Sequence, residues 1–361
     1  MMKIGIITYH RSHNYGALLQ AYGLKSYLQS IGYDVNIVDY FPHYHKQMYM
    51  LWPWSYFKTW SLKRKIDFIR NFPFTVLQKR KRRDLFEKFI NIYLQPIPVN
   101  LQEKYDVLIY GSDQIWRYQD TPIYKGYNKV YFGSDEIPAK RRITYSASMG
   151  NMDRFDSNID FLQTMLKNFD AVAVREKDLF NKVQLIYSKE VSLTLDPVFL
   201  LSKVTWEGLV PERKLSERYI LLYNLLSDPK LNLISNQLSK KMGIKIIEIT
   251  GGIRRQASNE VMMINGPLEF LSWVYHAECI VTSSFHGVAF SILFQKPFFT
   301  YLPNNSARVL NLLDELGLEK LFIKENHPDF IEIDFEIDYN DVGKRLNKLI
   351  ARSRAYLDSS I

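Results

Sequence analysis

The residues best suited to chemistry form one turn in the last third of the chain: Ser283, Ser284, Phe285, His286 and Gly287. The hydrophobic pattern predicts a strand before this turn, at Cys279–Thr282, and a helix directly after it. Ser283 or Ser284 suits a helix N-cap, so backbone N–H groups near His286 would point from a helix N-terminus, where an anion is favoured. An imidazole can also act as general acid or base near neutral pH. The turn predicts a phosphate or carboxylate site; the alternative is a hydrogen-bonded structural histidine.

Other candidates lie where predicted strands end. Arg175 follows a predicted strand at 171–174, and taken alone it reads as the start of an exposed helical turn, Arg-Glu-Lys-Asp. Two further loops, 10–16 and 111–118, follow predicted strands at 3–8 and 105–110. Their candidate polar and aromatic residues are Asn14, Tyr15, Gly16, Asp113, Gln114 and Trp116. Asn as an N-cap and Gly in a tight turn also have ordinary local explanations.

These candidates are positioned by alternating strands and helices, which are typical of α/β proteins with mainly parallel sheets. A first series of strands is predicted at 3–8, 35–40, 105–110, 142–146, 171–174 and 191–195. A second series begins at 219–223 and continues at 244–249, followed by a turn at 250–252. A polar linker at 200–217 separates the two series, so we expect two Rossmann-like domains. The predicted division is 1–203, 204–330 and a C-terminal helix at 331–361 that packs back on the first domain.

Composition excludes several classes of protein. The chain has 361 residues, of which 47% are hydrophobic and 30 are Gly or Pro, so it is neither disordered nor collagen-like. The single cysteine, Cys279, lies in an apolar run and predicts a buried, inert thiol in an intracellular protein. No signal peptide or transmembrane helix is recognisable. There is no GxGxxG or GxxxxGK[ST] motif and no HExxH spacing, so nicotinamide and P-loop readings have little support and no metal is expected.

The positive charge is concentrated in one segment. The net charge is +9, and residues 58–83 contain ten Lys or Arg and one acid, so the rest is formally neutral. Aromatic side chains precede and overlap this run, namely Trp52, Trp54, Tyr56, Phe57 and Trp60. Basic residues beside aromatic rings suit the surface of an anionic membrane. The alternatives are a solvated basic helix with a partly buried aromatic anchor and, less favoured by the neutral remainder, a nucleic-acid site.

Six segments together resemble the polysaccharide pyruvyl transferase family, in chain order from Ile4 to about Leu318. They are ITYHRSHNYGALLQAYGL at 7–24, YGSDQIWR at 110–117, ITYSASMG at 143–150, AVAVREKDL at 171–179, LDPVFLL at 195–201 and SSFHGVAFSILFQKPFF at 283–299. The set is far more specific than any one of its members.

The resemblance implies a GT-B-like arrangement of two Rossmann-like domains with a ligand cleft between them. It also implies transfer of pyruvate from phosphoenolpyruvate to a sugar as a cyclic ketal, without a further cofactor. On the family pattern Arg175 and His286 match donor-site and catalytic residues. Many members carry Arg-Leu-His where this chain has Ser284-Phe285-His286, so one donor arginine is replaced by serine. Arg308 is the candidate substitute, and Ser283, Ser284 and Gly287 complete the expected donor site.

The acceptor is expected at loops 10–16 and 111–118. If it is a lipid-linked precursor of an exopolysaccharide or capsule, the segment 52–83 would hold the cytoplasmic protein at the inner face of the membrane. No nucleic-acid partner is expected. Two alternatives remain: a GT-B-like glycosyltransferase that uses a nucleotide sugar, and a catalytically silent sugar-binding homologue.

Overall fold

A computed structural model describes residues 1–101, 104–213, 215–225, 228–250, 261–302, 307–324 and 336–361. The chain forms two compact units that are each discontinuous in sequence. The first unit contains Met1–Lys65, Glu87–Leu201 and Asn347–Ile361, and the second contains Ile66–Phe86 and Ser202–Leu346. Their junction at residue 201 lies beside the expected boundary at 203, whereas the sequence places residues 66–86 in the first domain.

The first unit is built on parallel strands. Its strands are β1 (Lys3–Ile7), β2 (Asp34–Ile37), β3 (Tyr105–Tyr110), β4 (Gln119–Thr121), β5 (Tyr124–Gly126), β6 (Ala139–Thr144), β7 (Val172–Val174) and β8 (Val191–Leu193). The main sheet has the order β2-β1-β3-β6 and all its pairs are parallel. Bridges from Ile143 to Ala171 and from Ala147 to Val174 join it to the parallel pair β7-β8, while β4 and β5 form a separate antiparallel hairpin.

Helices follow these strands. They are α1 (Tyr15–Ser30), α2 (His43–Tyr49), α3 (Trp54–Thr59), α4 (Leu62–Phe89, continued by a π-helical turn Ile90–Leu94), α5 (Ile159–Leu166) and α6 (Lys177–Ile186). α4 contributes its ends to the first unit and residues 66–86 to the second. The apolar strands β1 and β3 are buried along almost their whole length, as expected for a parallel sheet covered on both faces.

The second unit repeats the pattern with one five-stranded parallel sheet. Its strands are β9 (Tyr219–Tyr223), β10 (Lys245–Ile249), β11 (Val261–Met262), β12 (Cys279–Thr282) and β13 (Phe298–Thr300), in the order β11-β10-β9-β12-β13. Its helices are α7 (Lys203–Glu207), α8 (Pro229–Met242), α9 (Pro267–His276), α10 (Phe285–Leu293) and α11 (Ala307–Leu316). The expected α/β class with two parallel sheets is therefore confirmed. The turn expected at 250–252 lies outside the described residues after Thr250.

A last helix, α12 (Tyr339–Ser360), ends within the first unit. Ser353 accepts a hydrogen bond from the Leu195 amide at 2.9 Å, and the Tyr356 hydroxyl donates to the Thr144 carbonyl at 2.7 Å. Residues 347–361 thus close the end of the first sheet near β6 and β8.

Both sheets have a switch point, where the chain changes the direction in which it adds strands. In the first unit β2 lies on one side of β1 and β3 on the other, and in the second β10 and β12 flank β9 in the same way. Ligands of open α/β sheets bind at the carboxyl ends of the strands on either side of such a point. The loops at 8–14 and 111–117, residues 224–225 and the turn at 283–287 occupy these positions.

Candidate functional site

The switch point of the second unit is held together by short polar side chains. The Ser283 amide donates to the Tyr223 carbonyl at 3.1 Å, and the Ser283 hydroxyl accepts from the Leu225 amide at 3.0 Å. The Thr282 hydroxyl donates to the same Tyr223 carbonyl at 3.2 Å and accepts from the Ser284 amide at 3.0 Å. These bonds fix the ends of β9 and β12 relative to each other, so the turn that follows β12 has a defined geometry.

The predicted helix start is confirmed, with Ser284 as the N-cap of α10. Its backbone is extended and its hydroxyl makes no capping hydrogen bond to the first turn. His286, the second residue of α10, is 8% exposed, and its ring lies perpendicular to that of Phe285 at 5.2 Å. The guanidinium of Arg308 lies 5.9 Å from the centre of the Phe285 ring. The structure therefore brings Ser283, Ser284, His286, Gly287 and Arg308 to one edge of the second sheet.

A lysine at this edge was missed by sequence reasoning. Lys230 lies in the first turn of α8, the next helix after β9, and its Nζ is 4.7 Å from the centre of the Tyr301 ring. Tyr301 follows β13 and donates its amide to the Thr282 carbonyl, and Lys230 also donates to the Lys324 carbonyl at 2.6 Å. A lysine at the start of a predicted helix after a predicted strand was the feature of the sequence that could have identified it. Lys230 adds a second cation to the side that carries Arg308.

Gly287 serves a close approach between α10 and β12. A Cβ at this position would lie 2.3 Å from the Thr282 Oγ1 and 3.0 Å from the Thr282 Cβ. Either α10 or the Thr282 side chain would have to shift to accommodate it. We expect Gly287→Ala to lower the free energy of unfolding by about 1–3 kcal/mol, as overpacking does. Urea unfolding measures this. Gly343→Ala is the matched control, because Gly343 has open space around it in α12 and should gain stability from a better helix former; equal effects would contradict the packing argument.

Arg175 lies in the first unit, in a buried ionic cluster. Its side chain is 3% exposed and donates to the carboxylate of Asp196, which is 0% exposed, while its Nε lies 3.9 Å from Glu176. Glu176 in turn accepts from the Ser148 hydroxyl, and the other oxygen of Asp196 accepts from the Val198 amide. The exposed helical turn that Arg175 suggested by itself is wrong. The guanidinium that the family resemblance assigns to the donor is directed at two carboxylates of its own unit.

The expected acceptor residues of the first unit have different environments. Asn14 is the exposed N-cap of α1 and accepts from the Gly16 and Ala17 amides at 2.9 and 3.3 Å, while Tyr15 and Gly16 are buried. Trp116 is 1% exposed, stacks on Phe132 and donates to the Tyr131 carbonyl. Its ring is therefore part of the core and does not offer the face that the sequence suggested for a sugar.

Asp113 and Gln114 remain partly exposed in the loop after β3. Asp113 adopts a positive φ of 69°, its side chain accepts from the Gln114 amide at 2.8 Å, and its carbonyl accepts from the Ser148 amide. Gln114 lies against Gly150, where a Cβ would be 2.7 Å from its side chain. Both polar groups are thus held at the switch point of the first sheet.

A charged group beside these loops was not anticipated. Asp39 accepts from both Nε and Nη2 of Arg11, at 2.6 and 2.5 Å, and pairs with the His10 ring at 2.9 Å. Burial alone would favour the neutral acid, but these hydrogen bonds hold the pKa of Asp39 well below its usual range. Glu87 lies 3.8 Å from both Arg11 and His13. This network fixes the loop after β1, one of the two loops at the switch point of the first sheet.

His45 in α2 packs against the same loop and gives a pH-dependent prediction. Its ring is 4.3 Å from that of Tyr9, and burial lowers its pKa to about 4, against a smaller opposing effect of Asp113. The unfolded chain binds this proton near pH 6.5, so the free energy of unfolding should fall by about 3 kcal/mol as pH drops from 6.5 to 4. His45→Phe should flatten that slope in urea unfolding. His43→Phe, at an exposed position of α2, is the control, and an unchanged slope in His45→Phe would contradict the assignment.

The described residues contain no group of three or more His, Cys, Asp or Glu side chains arranged to hold a metal ion. Over the same parts of the chain, no helix is both long and apolar enough to cross a bilayer. Cys279 is buried, and burial raises the pKa of its thiol to about 12.

Fold and site together define an α/β protein of two Rossmann-like units, each with polar side chains at its switch point. The model of the polysaccharide pyruvyl transferase family matches residues 14–306. The chain belongs to this family and is therefore a transferase. A comparison with curated proteins found no match.

Several solved structures resemble the chain at low identity. The UDP complex of MnaA from S. aureus is 12% identical with a TM-score of 0.47, covering 100% of this chain and 91% of that one. A putative UDP-N-acetylglucosamine 2-epimerase from Listeria monocytogenes is 8% identical with a TM-score of 0.48, covering 98% and 89%. The UDP-GlcNAc 2-epimerase from Methanocaldococcus jannaschii is 12% identical with a TM-score of 0.44, covering 97% and 93%. At TM-scores below 0.5, these likenesses assign no chemistry to this chain.

Proposed function

We propose that this chain transfers the pyruvyl group of phosphoenolpyruvate to two hydroxyls of one sugar, forming a cyclic ketal on a cell-surface polysaccharide or its lipid-linked precursor. The observation that carries the proposal is the turn after β12. In a chain of the pyruvyl transferase family, that turn presents an N-cap serine that makes no capping bond, a histidine and a nearby arginine at a sheet switch point.

The chemistry of the donor fits these groups. Phosphoenolpyruvate carries a phosphate and a carboxylate, for which guanidinium, ammonium, hydroxyl and helix N-terminal amides are suited. Arg308 and Lys230 supply the cations of the second unit, and Ser283 and Ser284 supply short polar side chains at the turn. Serine at position 284 cannot neutralise charge as an arginine would, so we assign that role to Arg308.

The reaction requires two proton movements that one histidine can serve. A proton adds to C3 of the donor, one sugar hydroxyl attacks C2, phosphate leaves, and the second hydroxyl closes the ring at C2. The two hydroxyl protons are balanced by one that enters the new methyl group and one carried away with phosphate. His286 is assigned to proton transfer or to stabilisation of the departing phosphate.

Calorimetric titration with phosphoenolpyruvate, beside a panel of nucleotide sugars, tests the donor directly. We expect saturable binding of phosphoenolpyruvate, weakened by at least about tenfold in Arg308→Ala because a charge-assisted contact is lost. Phosphate release is then measured with candidate acceptor sugars. Binding of a nucleotide sugar in place of phosphoenolpyruvate would instead favour a glycosyltransferase. Binding of an acceptor sugar, without binding of either phosphoenolpyruvate or a nucleotide sugar, would favour a catalytically silent homologue.

We further propose that α4 contacts an anionic bilayer. Large apolar side chains stay exposed along one face of residues 62–77, at Leu62, Ile66, Ile69 and Leu77. Exposed basic residues accompany that face, at Lys63, Arg70, Arg80 and Lys81. An apolar helix face accompanied by Lys and Arg is the pattern of helices that lie in a membrane interface.

Two other cations of this run have different roles. Arg82 is 6% exposed and donates to the carbonyls of Thr250 and Met263 at 3.0 and 3.3 Å, so it anchors α4 within the second unit. Lys79 lies 5.4 Å from the Phe68 ring, and burial lowers its pKa. Arg82 and Lys79 are therefore left unchanged in the variant that tests membrane binding by neutralising charges of α4.

Arg80→Gln with Lys81→Gln should weaken binding to phosphatidylglycerol-containing vesicles by roughly 30-fold, at about 1 kcal/mol for each charge. Co-sedimentation measures the loss, with pure phosphatidylcholine vesicles as the reference lipid. Lys344→Gln with Lys348→Gln removes the same charge from exposed positions of α12 and should leave binding unchanged. Equal losses in the two double variants would reject a specific role for α4.

A further inference from the structure

A cavity of about 380 Å³ lies in the first unit, apart from the loops at its switch point. Side chains from α2, α3, the start of α4 and the β4–β5 hairpin line it, among them Tyr56, Trp60, Arg64, Asp120 and Thr121. Its volume lies in the range of sites for small molecules, roughly 300–1,000 Å³. Four of the lining residues, Pro53, Tyr56, Trp60 and Arg64, belong to the segment 52–83 that the sequence offered for membrane contact, and none belongs to the expected donor turn or acceptor loops.

The lining combines an aromatic wall with one cation and one anion. The guanidinium of Arg64 lies 4.4 Å from the centre of the Trp60 ring, and Trp60 in turn packs on Phe57 at 5.8 Å. Arg64 is thereby held over a ring while its N–H groups can still donate at its edge. Asp120 faces the same cavity from the hairpin and is paired with Lys125 at 3.4 Å.

The hairpin that carries Asp120 is fixed to α2. Tyr124 stacks on Tyr44 with ring centres 4.6 Å apart, and the Thr121 hydroxyl donates to the Tyr124 carbonyl at 2.9 Å. The Tyr56 hydroxyl reaches the Tyr44 carbonyl at 3.4 Å from the other side. The hairpin and Tyr56, on two sides of the cavity, therefore both contact Tyr44. Such contacts favour a site that exists before a ligand binds.

The side chains that line the cavity indicate which class of ligand it would bind. A carboxylate beside a guanidinium matches the donor and acceptor faces of adjacent hydroxyls, and an aromatic ring matches an apolar face of a sugar ring. Arg64 and Asp120 balance each other among the lining residues, so the lining carries no net positive charge that would favour a phosphate. We infer that this cavity is a subsite for one neutral pyranose ring of the acceptor saccharide, beyond the sugar that receives the pyruvyl group. The inference rests on the proposed function for the identity of the acceptor.

Binding of methyl pyranosides of glucose, galactose, N-acetylglucosamine and N-acetylmannosamine tests the inference, by saturation-transfer NMR and tryptophan fluorescence on the full chain. We expect at least one to bind, with affinity about tenfold lower in Trp60→Ala and in Asp120→Asn. Trp54→Ala is the matched control, because Trp54 is 57% exposed and does not line the cavity. Thermal unfolding verifies that each variant folds. If Trp60→Ala fails to fold, Asp120→Asn still tests the subsite, because Asp120 is exposed.

Three outcomes overturn the subsite: no pyranoside binds, pyranosides bind Trp60→Ala and Asp120→Asn as well as they bind the unmodified chain, or inorganic pyrophosphate displaces them from the cavity. Titration with phosphoenolpyruvate is run separately on the same samples. Donor binding without pyranoside binding refutes the subsite and leaves the proposed function standing. Pyranoside binding that depends on Trp60 and Asp120, without any donor binding or phosphate release, supports the subsite and refutes the pyruvyl transfer.

Discussion

Replacing His286 by Ala should lower the turnover of phosphoenolpyruvate with its acceptor by at least ~100-fold, the usual contribution of a positioned general acid or base. The imidazole lies at the second residue of α10 and is largely buried, with its ring against Phe285. The measurement is release of inorganic phosphate under saturating donor and acceptor. Near-normal turnover would remove His286 from the chemistry.

The loss of turnover in His286→Ala is compared with that of a second histidine variant. His276→Ala is the control within the same unit, because His276 ends α9 and lies outside the turn after β12. A loss of activity in His276→Ala equal to that in His286→Ala would point to general damage of the second unit.

Removal of Asp196 should cost about 3–5 kcal/mol of the free energy of unfolding, since it leaves the buried guanidinium of Arg175 without its closest carboxylate. Replacing both partners by apolar residues, Arg175→Met with Asp196→Leu, should recover much of this loss because no charge then stays buried. Urea unfolding gives both values. Asp341→Ala breaks the exposed pair with Arg345, which is about half exposed on both sides, and should cost less than about 1 kcal/mol.

This comparison also decides what Arg175 does. If Asp196→Ala costs no more than Asp341→Ala, the buried pair is not structural. If the double apolar variant folds and still binds phosphoenolpyruvate normally, Arg175 supports the strand-to-helix turn and does not hold the donor. A folded double variant that has lost donor binding would restore the role that the family resemblance implies.

The sequence predicted the fold well where local signals agreed with tertiary packing. The strands Tyr105–Tyr110, Tyr219–Tyr223 and Cys279–Thr282 lie where their short apolar runs place them. Gly32 follows α1 with a φ of 97°, the conformation expected of a glycine after a helix C-terminus. The assignment of residues 66–86 to the second unit could not be predicted, because it depends on hydrogen bonds from Arg82 to carbonyls more than 160 residues away.

The candidate site was predictable at the turn after β12 and less so elsewhere. Ser284 and His286 are placed by a local strand–turn–helix pattern, which a sequence displays directly. Trp116 and Arg175 carry the residue types of ligand sites, but their burial is set by Phe132 and Asp196, which only the folded chain brings to them. The cavity beside Trp60 is formed by three helices and a hairpin. No local sequence pattern predicts it, because its two sides are distant in the chain.

The placement of residues 347–361 has a consequence for the order in which this protein is made. Domains usually fold N-terminal first as the ribosome releases them. Here the first unit includes Ser353 and Tyr356, whose bonds to the Leu195 amide and the Thr144 carbonyl close its sheet, yet they are synthesised after every residue of the second unit. The N-terminal unit therefore cannot complete its fold during most of translation, and a nascent chain must keep the sheet end near β6 and β8 uncovered until the last helix emerges.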